Sequence, residues 1–97
     1  MNRYNLVFAS RVDIQLLQHF RFIKNVSIPA AIRFRDDFSK AIHEISDNPF
    51  QFPIDTDLNL PEGLYHKTIF AKWYKILFLV KDNTVYIDAV VDCRQRF

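Results

Sequence analysis

Three short apolar runs follow one another almost without a break in the last third of the chain: LYHKTIF (64–70), YKILFLV (74–80) and VYIDAVV (85–91). Only Ala71-Lys72-Trp73 and Lys81-Asp82-Asn83-Thr84 separate them, connections of the length that β-hairpins use. The spacing predicts an antiparallel meander. Lys, His or Tyr recurs at alternating positions of the runs, and the tail DCRQRF sets Arg94 and Arg96 beside the last one. A curled sheet of this kind presents a small basic face, suited to a phosphate-bearing or acidic partner.

The remainder of the chain supplies the cover for that sheet. RYNLVFA (3–9) reads as a first strand. Ser10 with Asp13 suits a capped helix start, and Val12, Leu16, Phe20 and Ile23 follow at helical spacing, so a first helix is expected over 10–25. Ser27 and Pro29 suit the opening of a second helix with the apolar face Ala31, Phe34, Phe38, Ala41, Ile42 and Ile45, ended by Asn48-Pro49. From Pro49 to Gly63 three prolines and the one glycine of the chain interrupt any period, which predicts a long loop whose Phe50, Phe52 and Ile54 pack back on the domain edge.

The expected order is β-α-α-loop-β-β-β in one domain over residues 1–97, an α+β fold with two helices packed on one face of a curled, mainly antiparallel four-stranded sheet. Ten Phe, four Tyr and one Trp in 97 residues argue for a packed core over a disordered chain. The formal net charge of +2 makes the molecule as a whole no strong polyanion binder, so a local site is favoured: Asp36, Asp37, Glu44, Asp47, Asp55, Asp57 and Glu62 lie centrally, Lys67, Lys72, Lys75, Lys81, Arg94 and Arg96 later. A single cysteine, no apolar leader and no run of spanning length predict a cytoplasmic protein without a membrane segment.

A two-residue turn at Asp82-Asn83 pairs Lys81 with Thr84, from which the strand faces are counted. Tyr74, Ile76, Phe78 and Val80 then share the helix-covered side with Val85, Ile87, Ala89 and Val91. The open side collects Lys75, Leu77 and Leu79 with Tyr86, Asp88, Val90 and Asp92. Across Ala71-Lys72-Trp73 the register has two solutions: a two-residue turn brings His66 and Thr68 to the open face, a three-residue turn brings Lys67. An imidazole there could exchange protons near neutrality, although a lone exposed histidine is more often an ordinary surface residue. Lys75 is equally well read as one half of a partly exposed ion pair with Asp88 or Asp92. His19, His43 and His66 lack metal-ligand spacing, and one glycine rules out a glycine-rich phosphate loop, so neither metal nor cofactor is expected.

In order and spacing these segments resemble the RelE/ParE superfamily of bacterial type II toxin-antitoxin toxins. YNLVFASRVDIQLLQHF is similar to the opening strand and first helix, AAIRFRDDFSKAIHEISDNP to the second helix and its exit, and HKTIFAKWYKILFLVKDNTVYIDAVVDCRQ to the closing meander with an arginine-bearing tail. The resemblance implies a cytoplasmic toxin held inactive by a cognate antitoxin. RelE-like members cleave mRNA in the ribosomal A site, whereas ParE-like members poison DNA gyrase without hydrolysis. The cleaving branch implies catalytic roles for Lys75, Arg94 and His66, with Lys67, Lys72, Tyr86, Gln95 and Arg96 contacting substrate. Attack by a ribose 2′-OH needs a base, a cation for the developing phosphorane charge and an acid for the leaving oxygen. The tail departs from that pattern, because neither a His-Tyr pair at Cys93-Arg94 nor a tyrosine after the arginine is present. A catalytically degenerate module docking a partner through exposed Leu77, Leu79 and Val90 is the third expectation.

Overall fold

The computed structural model describes residues 3–57 and 59–94. The order is strand β1 (Asn5–Phe8), helix α1 (Ser10–Val26), helix α2 (Ile28–Asp47), a 3-10 turn at Pro49–Gln51, then strands β2 (His66–Phe70), β3 (Tyr74–Lys81) and β4 (Thr84–Asp92). The four strands form one mixed sheet in the order β1-β4-β3-β2, with β1 parallel to β4 and the other pairs antiparallel. Both helices pack on one face, as the α+β expectation required.

Helix boundaries follow local chemistry. Helix α1 begins one residue after its cap, and that cap is Ala9 with no side-chain bond. The Ser10–Asp13 capping start is therefore not formed: the Ala9 N–H is already committed to Ile87 O at 2.9 Å, which carries the chain straight from strand to helix. Ser27 does cap α2, its hydroxyl accepting the Ala30 N–H at 3.2 Å, with Pro29 in the first turn. Phe34, Ala41 and Ile45 of α2 join Val12 of α1 and Phe70, Tyr74, Ile76, Phe78, Val85, Ile87 and Val90 of the sheet in one core. Phe34, Phe70 and Tyr74 meet within it at ring separations of 4.8 to 5.9 Å.

The expected pairing holds from Lys81↔Thr84 through Phe78↔Ile87 and then shifts, so that Leu77 opposes Ala89 and Asp88 is an extra residue in β4. This β-bulge reverses the alternation beyond it. Val90 and Asp92, expected on the open face, join Ile76 and Tyr74 on the helix side; Ala89 and Val91, expected under the helices, face the other way beside Leu77 and Lys75. The second register is settled by Phe70↔Tyr74, a three-residue turn, which puts Lys67 on the open face and His66 beneath the helices opposite Phe78. Ala71 and Lys72 in that turn take left-handed φ values of 47° and 69°. Backbone of this kind costs a non-glycine residue about 1–2 kcal/mol.

What holds the bulge is a row of α1 side chains. Strand β1 pairs with Thr84–Ile87, and among the described residues no strand pairs with the following edge of β4. Arg11 Nε donates to Asp88 O at 2.9 Å, Gln15 Oε1 accepts the Val90 N–H at 2.8 Å, and His19 Nε2 donates to Val90 O at 3.0 Å. Residues four apart lie on one helix stripe, so α1 continues the ladder with side chains. Because Val90 is buried, Gln15→Ala leaves its N–H unsatisfied. The expected loss is about 1–3 kcal/mol of unfolding free energy, read by urea denaturation; an unchanged midpoint would remove this role from Gln15.

Candidate functional site

On the face away from the helices, Lys75 Nζ meets Asp55 Oδ2 at 2.6 Å, with 16% of the lysine side chain and 4% of the aspartate side chain exposed. Asp55 comes from the loop after α2, the segment whose sequence has no period. Its N–H donates to Tyr65 O at 2.8 Å, Lys67 N–H donates to Pro53 O at 3.0 Å, and Ile54 bridges His66, so residues 53–55 lie along the outer edge of β2. Asp55 Oδ1 accepts the Asp57 N–H at 2.9 Å. Burial pushes the Asp55 carboxyl up, but the Lys75 ammonium, the Asp57 N–H and the Lys67 charge together hold it below its ordinary value. The ion pair expected for Lys75 with Asp88 or Asp92 is replaced by one with a residue twenty positions away.

Asp88 has other partners. Arg11 Nη2 bonds its Oδ1 at 2.8 Å and the Tyr65 hydroxyl donates to its Oδ2 at 3.0 Å, spanning β3 from the β2 side. Burial, and then Asp88, raise the Tyr65 phenol above its ordinary value. Leu77 is buried although it faces away from the helices, Val90 is buried beneath them, and Leu79 is partly buried. The docking surface expected from these three residues is not formed. Tyr86 and Lys67 remain accessible on this face, Tyr86 opposite Leu79 and Lys67 opposite Leu77.

His66 is elsewhere. Its ring stacks on buried Phe78 with centroids 5.4 Å apart, meets Phe50 edge-on and donates from Nδ1 to Phe52 O at 2.8 Å. A ring fixed between two phenylalanines cannot serve a phosphate bound at Lys75 on the opposite face.

Arg94 also lies on the helix side, because the bulge carries Asp92 there. Its Nε and Nη2 hold the two Asp92 oxygens at 3.1 and 2.9 Å, and its guanidinium lies over Trp73 at 5.2 Å. The bond from Arg94 holds the Asp92 carboxyl below its usual value, and Asp92 in turn raises Arg94 above its own. Burial pushes the Tyr74 phenol up, with Asp92 adding to it. A groove of about 440 Å³ opens between the helix hairpin and this turn, lined by Phe22, Val26, Arg33, Asp37, Lys72, Trp73 and Arg94 among others. A second, of about 460 Å³, runs from Arg94 and Phe22 to Gln18 and His19. Lys72 thus belongs with Arg94, not with Lys75.

The structure therefore divides the candidate residues. Lys67, Lys75 and Tyr86 are on the open face, while His66, Lys72 and Arg94 are on the helix side or at its rim; Gln95 and Arg96 lie outside the described residues. Among the described residues no three His, Cys, Asp or Glu side chains are placed to hold a metal ion, and no helix is long and apolar enough to cross a membrane. The Asp55 partner of Lys75 gave no motif in the sequence. The Arg11-Gln15-His19 stripe did leave a sign, three hydrogen-bonding side chains four residues apart beside the apolar face of α1.

No protein-family model and no curated protein matches the chain. Among solved structures it is similar to a chain described as "Chromosomal ParDE TA system from P. aeruginosa", with a TM-score of 0.70, 12% identity, and coverage of 92% of this chain and 95% of that one. The fold is thus ParE-like over nearly its whole length.

The buried pair makes an asymmetric prediction. Lys75→Met strands the enclosed Asp55 carboxylate, with an expected loss of about 3–5 kcal/mol. After Asp55→Asn the lysine stem can carry its ammonium to water, so the expected loss is about 1 kcal/mol. The depressed Asp55 carboxyl contributes stability above the unfolded value of about 3.9, and that contribution is lost as pH falls through the folded value. Urea unfolding across acid pH is accordingly expected to show a steeper loss for the wild type than for Asp55→Asn; parallel curves would overturn the assignment.

Proposed function

We propose that the chain is the toxin of a type II toxin-antitoxin system, neutralised by a cognate antitoxin, and that it acts as a ParE-like gyrase poison without hydrolysing a substrate. The toxin reading is carried by the ParE-like fold, matched over 92% of this chain and 95% of the ParDE system chain, together with the matching order of sequence segments.

Cleavage through a 2′-OH needs a base, an acid and a free cation converging on one phosphate. Here Lys75 is neutralised by Asp55, Arg94 by Asp92, and His66 is packed under the helices on the face opposite Lys75. Those three groups do not converge. A toxin acting by binding alone needs no such convergence, and the grooves beside Arg94 and Trp73 offer apolar and cationic contacts to a protein surface. Ribosome-dependent mRNA cleavage is the second reading, supported by Lys67 and Tyr86, which leave a cation and a phenol accessible on the open face.

Induced expression without antitoxin, with labelled thymidine and amino acid followed over the first minutes, separates the two. Thymidine incorporation is expected to fall first, and purified protein is expected to stabilise gyrase-dependent DNA breaks. Earlier loss of amino-acid incorporation, with mRNA cleaved on ribosomes, would replace this reading by the second. Unaffected growth would overturn the toxin assignment.

A further inference from the structure

Arg11, Gln15 and His19 occupy the stripe of α1 that meets β4, and the opposite stripe of the same helix has no use in the monomer. Leu17 on that side is 48% exposed, and Ile14, three residues before it, 59%. Ile28 and Ile32 are exposed one turn apart on α2. Between the helices runs a crease of about 340 Å³ lined by Leu16, Leu17, Phe20, Phe34, Arg35 and Phe38. Single exposed apolar residues are ordinary, whereas a contiguous set marks an interface. Charge along the stripe is ordered as well. Asp13 lies four residues before Leu17 and Arg21 four after it; both are exposed, and among the described residues neither has an ion-pair partner within the chain. Reversed end to end about Leu17, the stripe is its own complement: Asp13 falls opposite Arg21, Arg21 opposite Asp13, and Ile14 opposite Phe20. Aligned in the same direction, it would set Asp13 against Asp13 and Arg21 against Arg21.

We propose that this face of the helix hairpin joins two copies of the chain in an isologous dimer, with the α1 helices antiparallel across a two-fold axis at Leu17. Leu17 meets its own counterpart, Ile14 of each copy packs toward Phe20 in the wall of the other's crease, and two Asp13–Arg21 pairs at the rim fix direction and register. Asp13 and Arg21 each stand about 6 Å along the helix from the axis, close enough to pair at the shallow crossing angle of about 20° that packed helices adopt. Helix α1 has 17 residues, so a face about 25 Å long and two helices wide is available. Two such faces bury on the order of 1,000 Å², the lower bound for a specific interface. The dimer is therefore reversible, with a dissociation constant of about 1–100 µM. It leaves the Arg11-Gln15-His19 stripe and the open face of the sheet untouched, because both lie on other sides of the molecule.

The test is sedimentation velocity of the purified chain from about 1 to about 300 µM, a range that brackets the expected dissociation constant, beside Leu17→Glu, Arg21→Asp and the charge swap Asp13→Arg/Arg21→Asp. The wild type is expected to pass reversibly from monomer to dimer, and Leu17→Glu to remain monomeric throughout. Arg21→Asp sets two acidic residues against each other at each rim and is expected to raise the dissociation constant at least about tenfold, while the swap recovers wild-type affinity within about threefold. A wild type that stays monomeric overturns the proposal and leaves the face to a different protein. A dimer indifferent to Leu17→Glu or to Arg21→Asp overturns it too, since it would lie on another surface, as does one that the swap does not rescue, which would have another register. If Leu17→Glu does not fold, as judged by circular dichroism, Arg21→Asp and the swap decide, because both positions are exposed and outside the core. The toxin reading is judged by growth and the labelled precursors, so either proposal can fail while the other stands.

Discussion

Strand β1 is four residues long, and that shortness governs much of the rest. Among the described residues no strand lies on the outer side of β4 beyond Ile87, so its backbone groups must find other partners or remain unpaired near the core. Helix α1 supplies them because the chain turns from Phe8 through Ala9 directly into the helix, which brings Arg11, Gln15 and His19 alongside Asp88 and Val90. The bulge at Asp88 is tolerable only with that support. Val90 and Asp92 are in consequence turned under the helices, and the tail leaves the sheet on the helix side.

The charge arrangement follows from the same turn. With Asp92 carried to the helix side, Arg94 pairs with it over Trp73, and Lys75 on the opposite face has neither Asp88 nor Asp92 as its partner. Asp55 fills that place from the long loop, anchored by Phe52 against Phe78 and by the short ladder to β2. One extra residue in one strand thus separates cations that an unbroken alternation would have gathered on one face. Both remaining pairs are charge-assisted and partly enclosed, which favours fixed geometry over free cationic charge.

Helix α2 and the β3–β4 turn were legible because their signals are local. Ser27 and Pro29 open the helix, its apolar residues keep a 3.6-residue period, and Asp82-Asn83 is a hairpin turn whose Asp82 adopts φ of 57°. The bulge was not legible. Ala89, Val90 and Val91 are all apolar, so either alternation satisfies the run, and the choice depends on side chains of a helix more than seventy residues earlier. The register across Ala71-Lys72-Trp73 was open for a related reason, since Ala and Lys carry no preference for the left-handed backbone found there.

The sequence by itself determined the order of elements, the two-helix cover and the core face of α2, because periodicity, caps and turn residues act over a few positions. Only the tertiary structure decided which residues of β4 face the helices, that His66 is packed against Phe78, and that Asp55 meets Lys75. Those outcomes turn on the balance between burying a charge and pairing it across distant segments. No short-range pattern carries that information, and so the residues of the candidate site could be named from the sequence while their grouping could not.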